Sequence, residues 1–171
     1  KRCMFIFVKE EKRENEGDLV ISTSDTSAKN INFMAKYGRG LICLALDSLQ
    51  AKRLNLSLMS PINQSRNKTA FTVSIEAKKG ITTKDRARTI KIASKKNVNK
   101  KDIVSPGHVF PIIAKDGGVL VRAGHTEASV DISKLAKKNN SAVICEIMNE
   151  NGTMAKGQDL FDFAKKHKLK I

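Results

Sequence analysis

The stretch AVICEIMN, residues 142–149, decides the fold class of this chain. Six of its eight residues are apolar and three of those are β-branched, which is typical of a buried strand. A segment with the apolar spacing of a helix precedes it at 126–138, and another follows it at 157–168. A buried strand placed between two helices predicts an α/β or α+β fold.

Strands and helices alternate along the rest of the chain as well. Hydrophobic runs predict further strands at 4–8, 41–46, 70–76, 108–113 and 117–124, the last two joined by a turn. Helical spacing predicts helices at 26–40, 47–56 and 84–96. The candidate N-caps are Thr26 or Ser27, Asp47 and Thr126. Pro111 predicts an edge position or a bulge, because proline cannot donate a ladder hydrogen bond. The connections are long enough for some parallel pairing of strands. From the length of the chain we expect one domain over residues 1–171.

Composition limits the class of protein. The chain has 171 residues, of which 40% are hydrophobic, and this is enough for one domain with a core. No run of about eighteen apolar residues occurs, so we expect no transmembrane helix and no membrane partner. Three cysteines at wide spacing form no CxxC pair, which argues against a disulfide framework and a structural zinc site. A reducing cytoplasm is therefore the expected location.

The net charge of +15 raises the question of nucleic-acid binding. The excess charge comes mainly from lysine and is spread along the whole chain. Aromatic residues make up only 5% of the chain and tryptophan is absent, so stacking platforms for single strands are scarce. We therefore expect no nucleic-acid partner, since attraction of a small anionic substrate explains the charge equally well.

The segment RENEGD, residues 13–18, places three carboxylates at alternate positions: Glu14, Glu16 and Asp18. On an extended segment all three would point to one face. Such carboxylates repel one another unless Arg13 or a cation offsets their charge. Magnesium is a cation that prefers oxygen ligands. The alternative interpretation is a polar, solvated junction between a strand and a loop.

The segment RAGHTEA, residues 122–128, leads from a predicted strand into a predicted helix. Backbone N–H groups at a helix N-terminus favour an anion, and phosphate in particular. Arg122 adds a forked donor and Thr126 adds a hydroxyl group. His125 is a candidate metal ligand through a neutral ring nitrogen. The alternative is an ordinary capped helix with a histidine at the surface.

Two further residues are candidate acid/base groups. Glu146 lies in the middle of a strongly apolar stretch, where burial would raise the pKa of its carboxyl group. The alternative is that Glu146 faces solvent from a half-buried strand. His108 enters a predicted strand after a Pro-Gly turn, where its side chain can face a cleft, although a lone histidine is more often structural. Cys43 is expected to be a small core residue.

Taken together, these segments resemble the 3,4-dihydroxy-2-butanone 4-phosphate synthase family of riboflavin biosynthesis. RENEGD, RAGHTEA and PGHVFP carry the resemblance in combination. The blocks AFTVSIEA, DRARTI and ICEIMNENGTMA also occur in the order that is typical of the family. The resemblance covers essentially the whole chain. It implies a layered α/β sandwich in which helices flank a mixed sheet.

The resemblance implies a lyase that converts D-ribulose 5-phosphate into 3,4-dihydroxy-2-butanone 4-phosphate and formate. It also implies Mg²⁺ or Mn²⁺, with two ions per site, and a homodimer with its active sites near the subunit interface. By this resemblance Glu14 and His125 are the metal ligands, His108 and Glu146 are the acid/base residues, and Glu16 is a further candidate for either role. The residues implied to contact the substrate are Arg13, Glu14, Asp18, Arg122, Ala123, Gly124, His125 and Thr126.

Two segments depart from the family pattern. An acidic run usually precedes RENEGD, whereas this chain has KEEK at 9–12, so that Lys9 and Lys12 replace carboxylates. The segment GITTKDRARTI, residues 80–90, lacks a few small residues between TT and DR. The first departure leaves open a catalytically weak or silent relative that binds sugar phosphate. A further alternative is the synthase part of a bifunctional protein with a GTP cyclohydrolase.

Overall fold

The structure, a computed structural model, describes residues 4–9, 15–77 and 80–171, and at Lys100 only the backbone. Within these residues there are six strands, which form one sheet, and five α-helices. The strands are β1 (Phe5–Val8), β2 (Gly17–Ser22), β3 (Cys43–Leu46), β4 (Ile75–Glu76), β5 (Val104–Ile113) and β6 (Ser141–Glu146). The helices are α1 (Ala28–Phe33), α2 (Ser48–Arg53), α3 (Thr83–Ala93), α4 (His125–Leu135) and α5 (Gln158–His167).

The sheet is mixed, and β6 lies near its centre. The strand order is β1-β2-β6-β3-β5-β4. Strand β6 pairs antiparallel with both β2 and β3, whereas β3 and β5 run parallel. The stretch that is most apolar in the sequence is therefore hydrogen-bonded on both sides, and five of its six β6 residues are buried. The expected mixed sheet is confirmed.

Alternating residues of the central strands face two different hydrophobic clusters. On one face Leu19 and Val143 pack in the larger cluster, together with side chains from α1, α3 and α5. On the opposite face Val20 and Ile144 join a smaller cluster, and α4 packs over β2, β3 and β6. Because successive side chains of a strand point to opposite faces, an apolar strand buried on both faces reads as a continuous run. The predicted layered sandwich is confirmed.

Two predicted helix starts are confirmed and one is wrong. Ser27 caps α1 and Asp47 caps α2, each through its side-chain oxygen. Helix α4 begins at His125 with Gly124 as its N-cap, and no side chain caps it. Thr126 therefore lies inside the first turn, where it is 4% exposed.

The predicted strand at 117–124 does not form. Residues Gly118–Leu120 make a 3₁₀ turn instead. The carboxylate of Asp131 on α4 accepts the backbone N–H of Val119 at 2.9 Å, which holds this turn against the helix. Leu120 and Val121 are 94% and 66% exposed, so these apolar side chains do not pack against the sheet.

The predicted strand at 70–76 is much shorter than expected. Only Ile75–Glu76 belongs to β4, and Thr72 is fully buried and donates its N–H to the carbonyl of Pro111 at 3.0 Å. The predicted edge position of Pro111 is also wrong, because β5 lies between β3 and β4. A residue's N–H and C=O point to the same side of a strand, so the donor that Pro111 lacks would face the irregular segment around Thr72. The parallel pairing with β3 is unaffected.

The shortened segment at 80–90 forms the start of a regular helix. Thr82 is the N-cap of α3, and its hydroxyl oxygen accepts the N–H of Asp85 at 3.2 Å. Thr83 and Lys84 are consecutive residues of the first turn. The chain therefore passes from 80 into α3 without an intervening loop.

The contact between β4 and β5 allows no side chain at Gly107. A Cβ atom added there would overlap the backbone of Ile75 and of Glu76. We expect Gly107→Ala to lower the free energy of unfolding by roughly 3 kcal/mol, because backbone atoms cannot move aside as a flexible side chain can. This should appear as a fall in Tm of about 6–12 °C in a thermal melt followed by circular dichroism.

Gly80→Ala is the matched control for this prediction. The nearest heavy atom to an added Cβ at Gly80 is a carboxylate oxygen of Asp85 at 3.8 Å, an ordinary contact. The control should change the free energy of unfolding by less than about 0.5 kcal/mol. Equal melting temperatures for the two variants would show that the β4–β5 contact is looser than described.

Candidate active site

Three predicted site residues from distant parts of the sequence meet at one end of the sheet. The pairing of β2 with β6 places Asp18 directly opposite Glu146, and directly opposed Cβ atoms lie about 5 Å apart. Helix α4 packs over these strands and brings its first residue, His125, to the pair. The Nδ1 atom of His125 lies 3.1 Å from a carboxylate oxygen of Asp18.

The second ring nitrogen of His125 has no partner. Its Nε2 atom is buried and forms no hydrogen bond within the described residues, while the edge of the ring packs against Phe7 with the centroids 5.6 Å apart. A buried, unpaired ring nitrogen is costly unless something binds it. A histidine that donates one N–H to a carboxylate and keeps the other nitrogen free has the arrangement of a metal ligand.

His125 is the one expected metal ligand that the structure describes, and its free ring nitrogen is suited to a divalent cation. Arg13 and Glu14 lie outside the described residues. Within 4–9, 15–77 and 80–171, no three His, Cys, Asp or Glu side chains form a group that could hold a metal ion. The expected ligand pair of Glu14 and His125 therefore stays a prediction.

Glu16 forms an ion pair that the sequence does not predict. Its carboxylate lies 3.2 Å from the ammonium group of Lys156. Asn15 has a positive φ of 50°, so the backbone just before Glu16 is not extended. Because Glu14 lies outside the described residues, the expectation that all three carboxylates share one face stays a prediction.

The carboxyl group of Glu146 is held in place by the turn at residues 38–41. Its Oε2 atom accepts the backbone N–H of Leu41 at 2.9 Å. A Cβ atom added at Gly40 would lie 2.6 Å from both the carbonyl oxygen and Oε2 of Glu146. Only glycine allows this close approach, so Gly40 lets the turn press its donor onto the carboxylate.

The same turn is fastened to the chain beyond β6. Met148 donates its N–H to the carbonyl of Gly38 at 2.9 Å, and the guanidinium of Arg39 donates to the carbonyl of Asn149 at 3.0 Å. The Leu41 donor is thus fixed relative to the strand that carries Glu146.

Burial raises the pKa of Glu146 above its ordinary value, and the neighbouring carboxylate of Asp18 raises it further. The Leu41 N–H and the positive form of His125 act in the opposite direction. The carboxyl group is therefore not simply solvated, and the interpretation of Glu146 as a proton-exchanging group is favoured over that of a solvent-facing residue.

The segment that is predicted to bind an anion lies at the start of α4. Arg122, Ala123 and Gly124 lead into the helix, whose first N–H groups have no side-chain cap. Arg122 is held beside them by Glu127, to whose carboxylate it donates at 2.5 Å, and it also donates to the carbonyl of Asn67 at 3.0 Å. Part of its forked guanidinium is thus used within the protein.

His108 lies outside this group. Its Nδ1 atom lies 2.8 Å from a carboxylate oxygen of Glu76, and its side chain is 45% exposed. Strand β5 is two strands away from β6 in the sheet, a spacing of about 10 Å. The structure therefore does not bring His108 into contact with Asp18, His125 or Glu146.

Cys43 is a core residue, as expected, and Cys145 is one as well. Both thiols are buried. Burial raises the pKa of Cys43 far above its ordinary value, and it raises the pKa of Cys145 to about 12. Both are therefore neutral near pH 7 and are poor nucleophiles.

Two residues of the site were missed in the sequence. Glu127 is 1% exposed and joins Arg122 to the backbone N–H of Lys115 at 2.9 Å, although in RAGHTEA it reads only as an acid in a first helical turn. Glu76 orients His108 through a hydrogen bond. In the sequence it only ends a predicted strand, and no local pattern indicates that it contacts residue 108. The glycines of YGRG are the one signal for the close approach at Gly40.

Glu127 should contribute strongly to stability, because its buried carboxylate holds a guanidinium and a backbone donor. We expect Glu127→Gln to lower the free energy of unfolding by about 3 kcal/mol, since it leaves Arg122 without its counter-charge. Urea denaturation followed by circular dichroism measures this change.

The matched control is Asp25→Asn. This carboxylate lies 3.2 Å from Lys138 in a partly exposed pair, and such pairs contribute less than about 1 kcal/mol. A loss no larger for Glu127→Gln than for Asp25→Asn would contradict the structural role given to Glu127.

Comparison with known proteins gives a consistent assignment. A 3,4-dihydroxy-2-butanone 4-phosphate synthase from Photobacterium phosphoreum is 51% identical over 172 residues, which cover 98% of this chain and 47% of the relative. The riboflavin biosynthesis protein RibBA of Aquifex aeolicus is 52% identical over 174 residues, which cover 98% of this chain and 43% of that protein. The chain thus spans about half the length of these curated relatives.

Solved structures agree with this assignment. RibBX, a two-domain 3,4-dihydroxy-2-butanone 4-phosphate synthase from A. baumannii, matches with a TM-score of 0.94 and 46% identity over 98% of this chain and 51% of its own. A 3,4-dihydroxy-2-butanone 4-phosphate synthase in complex with two magnesium ions matches with a TM-score of 0.92 and 33% identity, over 98% of this chain and 85% of its own. The model of the 3,4-dihydroxy-2-butanone 4-phosphate synthase family matches residues 1–171, and the chain belongs to that family.

Proposed function

We propose that residues 1–171 form one synthase domain, which converts D-ribulose 5-phosphate into 3,4-dihydroxy-2-butanone 4-phosphate and formate. The proposal rests on the group of Asp18, His125 and Glu146. In this group the buried Nε2 atom of His125 has no hydrogen-bond partner among the described residues. Membership of the synthase family supports it. The reaction needs protons to be moved at several carbons of a phosphorylated sugar, and this site combines proton-exchanging groups with an anion-binding helix start.

The proposed cofactor is Mg²⁺ or Mn²⁺, with two ions per site, held by Glu14 and His125. A family member has been solved with two magnesium ions. When bound, the cation would polarise the sugar carbonyl and stabilise negative charge on neighbouring oxygens. Asp18 would accept the Nδ1–H of His125, so that the lone pair of Nε2 faces the cation.

The phosphate group of the substrate would bind at the start of α4, from Arg122 to Thr126. The uncapped N–H groups of the helix and the remaining donors of Arg122 provide positive potential there. Arg13 and Asp18 would contact the sugar. Buried Glu127 would keep Arg122 in position as the substrate enters and leaves.

Glu146 and His108 are the proposed acid/base groups. The raised pKa of Glu146 allows it to exchange a proton closer to neutral pH than an ordinary carboxyl group. Glu76 would accept the Nδ1–H of His108 and leave Nε2 to exchange a proton. Because the two groups lie two strands apart, each would serve a different part of the substrate.

The direct test is formate release from D-ribulose 5-phosphate by the purified chain with Mg²⁺ present. We expect formate and the four-carbon phosphate in equal amounts. A chelator such as EDTA should stop the reaction, and added Mg²⁺ or Mn²⁺ should restore it, because the carbonyl would lose its polarising group. Absence of formate would instead support a silent relative that only binds sugar phosphate.

His125→Gln and His167→Gln form a matched pair for this test. The first should lower formate release by a factor on the order of 100, since it removes the proposed metal ligand and its contact with Asp18. The second changes a histidine packed on Phe163 at the other face of the sheet and should leave the rate unchanged. Equal rates for the two variants would contradict metal binding at His125.

Gly40→Ala replaces no charged residue, but it should impair catalysis. The added methyl group would displace the Glu146 carboxylate from the N–H of Leu41. Loss of one hydrogen bond to a charged group costs about 1.5–3 kcal/mol, so we expect kcat to fall at least about tenfold. That hydrogen bond favours the ionised carboxylate, and its loss raises the pKa of Glu146 further. The limb of the pH–rate profile that reports Glu146 should therefore move to higher pH.

Leu41→Ala is the control, since it keeps the backbone N–H while shortening a side chain that is 42% exposed. It should leave the pH profile in place. A profile that is the same for Gly40→Ala and the unmodified chain would show that the turn does not set the ionisation of Glu146.

The proposed assembly is a homodimer. Several large apolar side chains near the anion site are exposed, and they are Leu58, Met59, Ile62, Leu120 and Val121. Arg122 bonds to the carbonyl of Asn67, so the loop that carries the first three lies beside the turn that carries the others. A second copy that covers this surface would remove it from water.

The cytoplasmic location and the possibility of a fused GTP cyclohydrolase stay predictions. Among the described residues no helix combines the length and the apolar character needed to cross a bilayer.

A further inference from the structure

A cleft of about 810 Å³ lies at the end of the sheet opposite to the candidate active site. It is lined by Ser141, the first residue of β6, whereas Glu146 is the last. The two are five residue steps apart along the strand, a distance of about 17 Å. The cleft therefore does not belong to the site described above.

The lining of this cleft is strongly cationic. Five of its fourteen residues carry a positive charge, compared with 32 of 171 in the whole chain. They are Arg53, Lys95, Lys96, Lys137 and Lys138. They come from three separate segments, which are the end of α2, the chain after α3 and the chain after α4. The fold thus gathers cations that are far apart in the sequence.

Most of this charge is not neutralised within the protein. Lys138 pairs with Asp25 at 3.2 Å. The other lining carboxylate, Asp47, accepts the N–H of Gln50 at 2.8 Å and the side-chain amide of Asn140 at 3.0 Å. In the part of the chain that the structure describes, no carboxylate forms an ion pair with the remaining four cations. A concave surface lined by unpaired like charges concentrates a positive potential.

One wall of the cleft is fixed by a buried amide. Gln50 is 6% exposed, and its amide donates to the carbonyls of Ala93 and Lys95 at 2.7 and 2.9 Å. Its oxygen accepts a hydrogen bond from Arg53 at 3.2 Å. This network ties α2 to the end of α3, so Arg53 and the Lys95 backbone are held in position before any ligand arrives.

A different role for the lysines is to stabilise helix C-termini. Lys95 and Lys96 follow α3, and Lys137 and Lys138 follow α4, where cations favour the negative end of the helix dipole. That role explains each pair on its own helix. It does not explain why both pairs and Arg53 converge on a single cleft whose volume falls in the range of small-molecule sites.

We propose that this cleft binds a small ligand that carries two or more linked phosphate groups. Arg53, Lys95 and Lys137 supply charge for the phosphates, and Leu49, which is 52% exposed, offers an apolar wall to any organic part. Nucleoside polyphosphates and inorganic oligophosphates share this chemistry. The proposal goes beyond the synthase reaction and does not depend on it.

Isothermal titration of the full chain with ATP, AMP and pyrophosphate tests the proposal, in EDTA at a fixed low salt concentration. ATP should bind at least about tenfold more tightly than AMP, because only linked phosphates reach several cations at once. Saturating D-ribulose 5-phosphate should not displace it. Equal affinity for pyrophosphate would identify the phosphates as the whole ligand, and tighter ATP binding would identify a nucleotide. Dissociation constants above about 1 mM for both would overturn the proposal.

Charge-reversal variants locate the binding site. Lys95→Glu/Lys96→Glu should weaken ATP binding at least about tenfold. Lys165→Glu/Lys166→Glu makes the same charge change at the exposed end of α5 and should leave the affinity within about twofold. Equal weakening by both pairs would reduce the effect to net charge and overturn the proposal.

Two further readouts separate the alternatives. A lower Tm for Lys95→Glu/Lys96→Glu with unchanged ATP affinity would show that these lysines serve only the helix end, against the proposal. Tighter binding of a single-stranded RNA than of ATP, lost in the same variant, would assign the cleft to nucleic acid and also overturn it. Both charge-reversal variants should retain formate release, so failure here is distinguishable from failure of the proposed function.

Discussion

The pairing of β2 with β6 is the constraint on which the candidate site depends. It sets Asp18 opposite Glu146, and a slip of one residue would turn one of these carboxylates to the opposite face of the sheet. Burial raises the pKa of Glu146, and repulsion from the neighbouring carboxylate of Asp18 raises it further. His125 and the N–H of Leu41 offset that repulsion from two sides. The apolar core fixes the register, because a slip of one residue would exchange the side chains that pack in the two different clusters.

Helix α4 joins the two parts of the site. Its first residue is the histidine beside Asp18, and its uncapped N-terminus offers the donors suited to a phosphate. Glu127, in the same first turn, holds Arg122 beside these donors. Because these groups share one rigid element packed on the sheet, a cation and a phosphate would be bound at a fixed separation. This is what a reaction on a phosphorylated sugar requires.

Packing overrides local pattern at several points. The apolar run at 117–124 reads as a strand, but Asp131 captures its backbone and leaves Leu120 exposed. The alternation at 70–76 predicts a regular strand, but buried Thr72 bonds to Pro111 instead. In both cases long-range hydrogen bonds help to hold the observed conformation, and no feature of the local sequence encodes their partners. The evenly spread lysines are likewise gathered into one cleft only by the way in which α2, α3 and α4 end.

Local sequence patterns were enough to predict the α/β class, most helix and strand positions, and the segments that carry the site. Hydrophobic periodicity, capping residues and short motifs are local signals, and they remain valid in the folded chain wherever they agree with the core. Which of those residues meet depends on the three-dimensional fold. It brought His125 to Asp18 and set Glu146 under the turn at Gly40, and it placed His108 two strands away beside Glu76. These contacts join residues far apart in the chain, because strand order and register, rather than any local pattern, determine which side chains become neighbours.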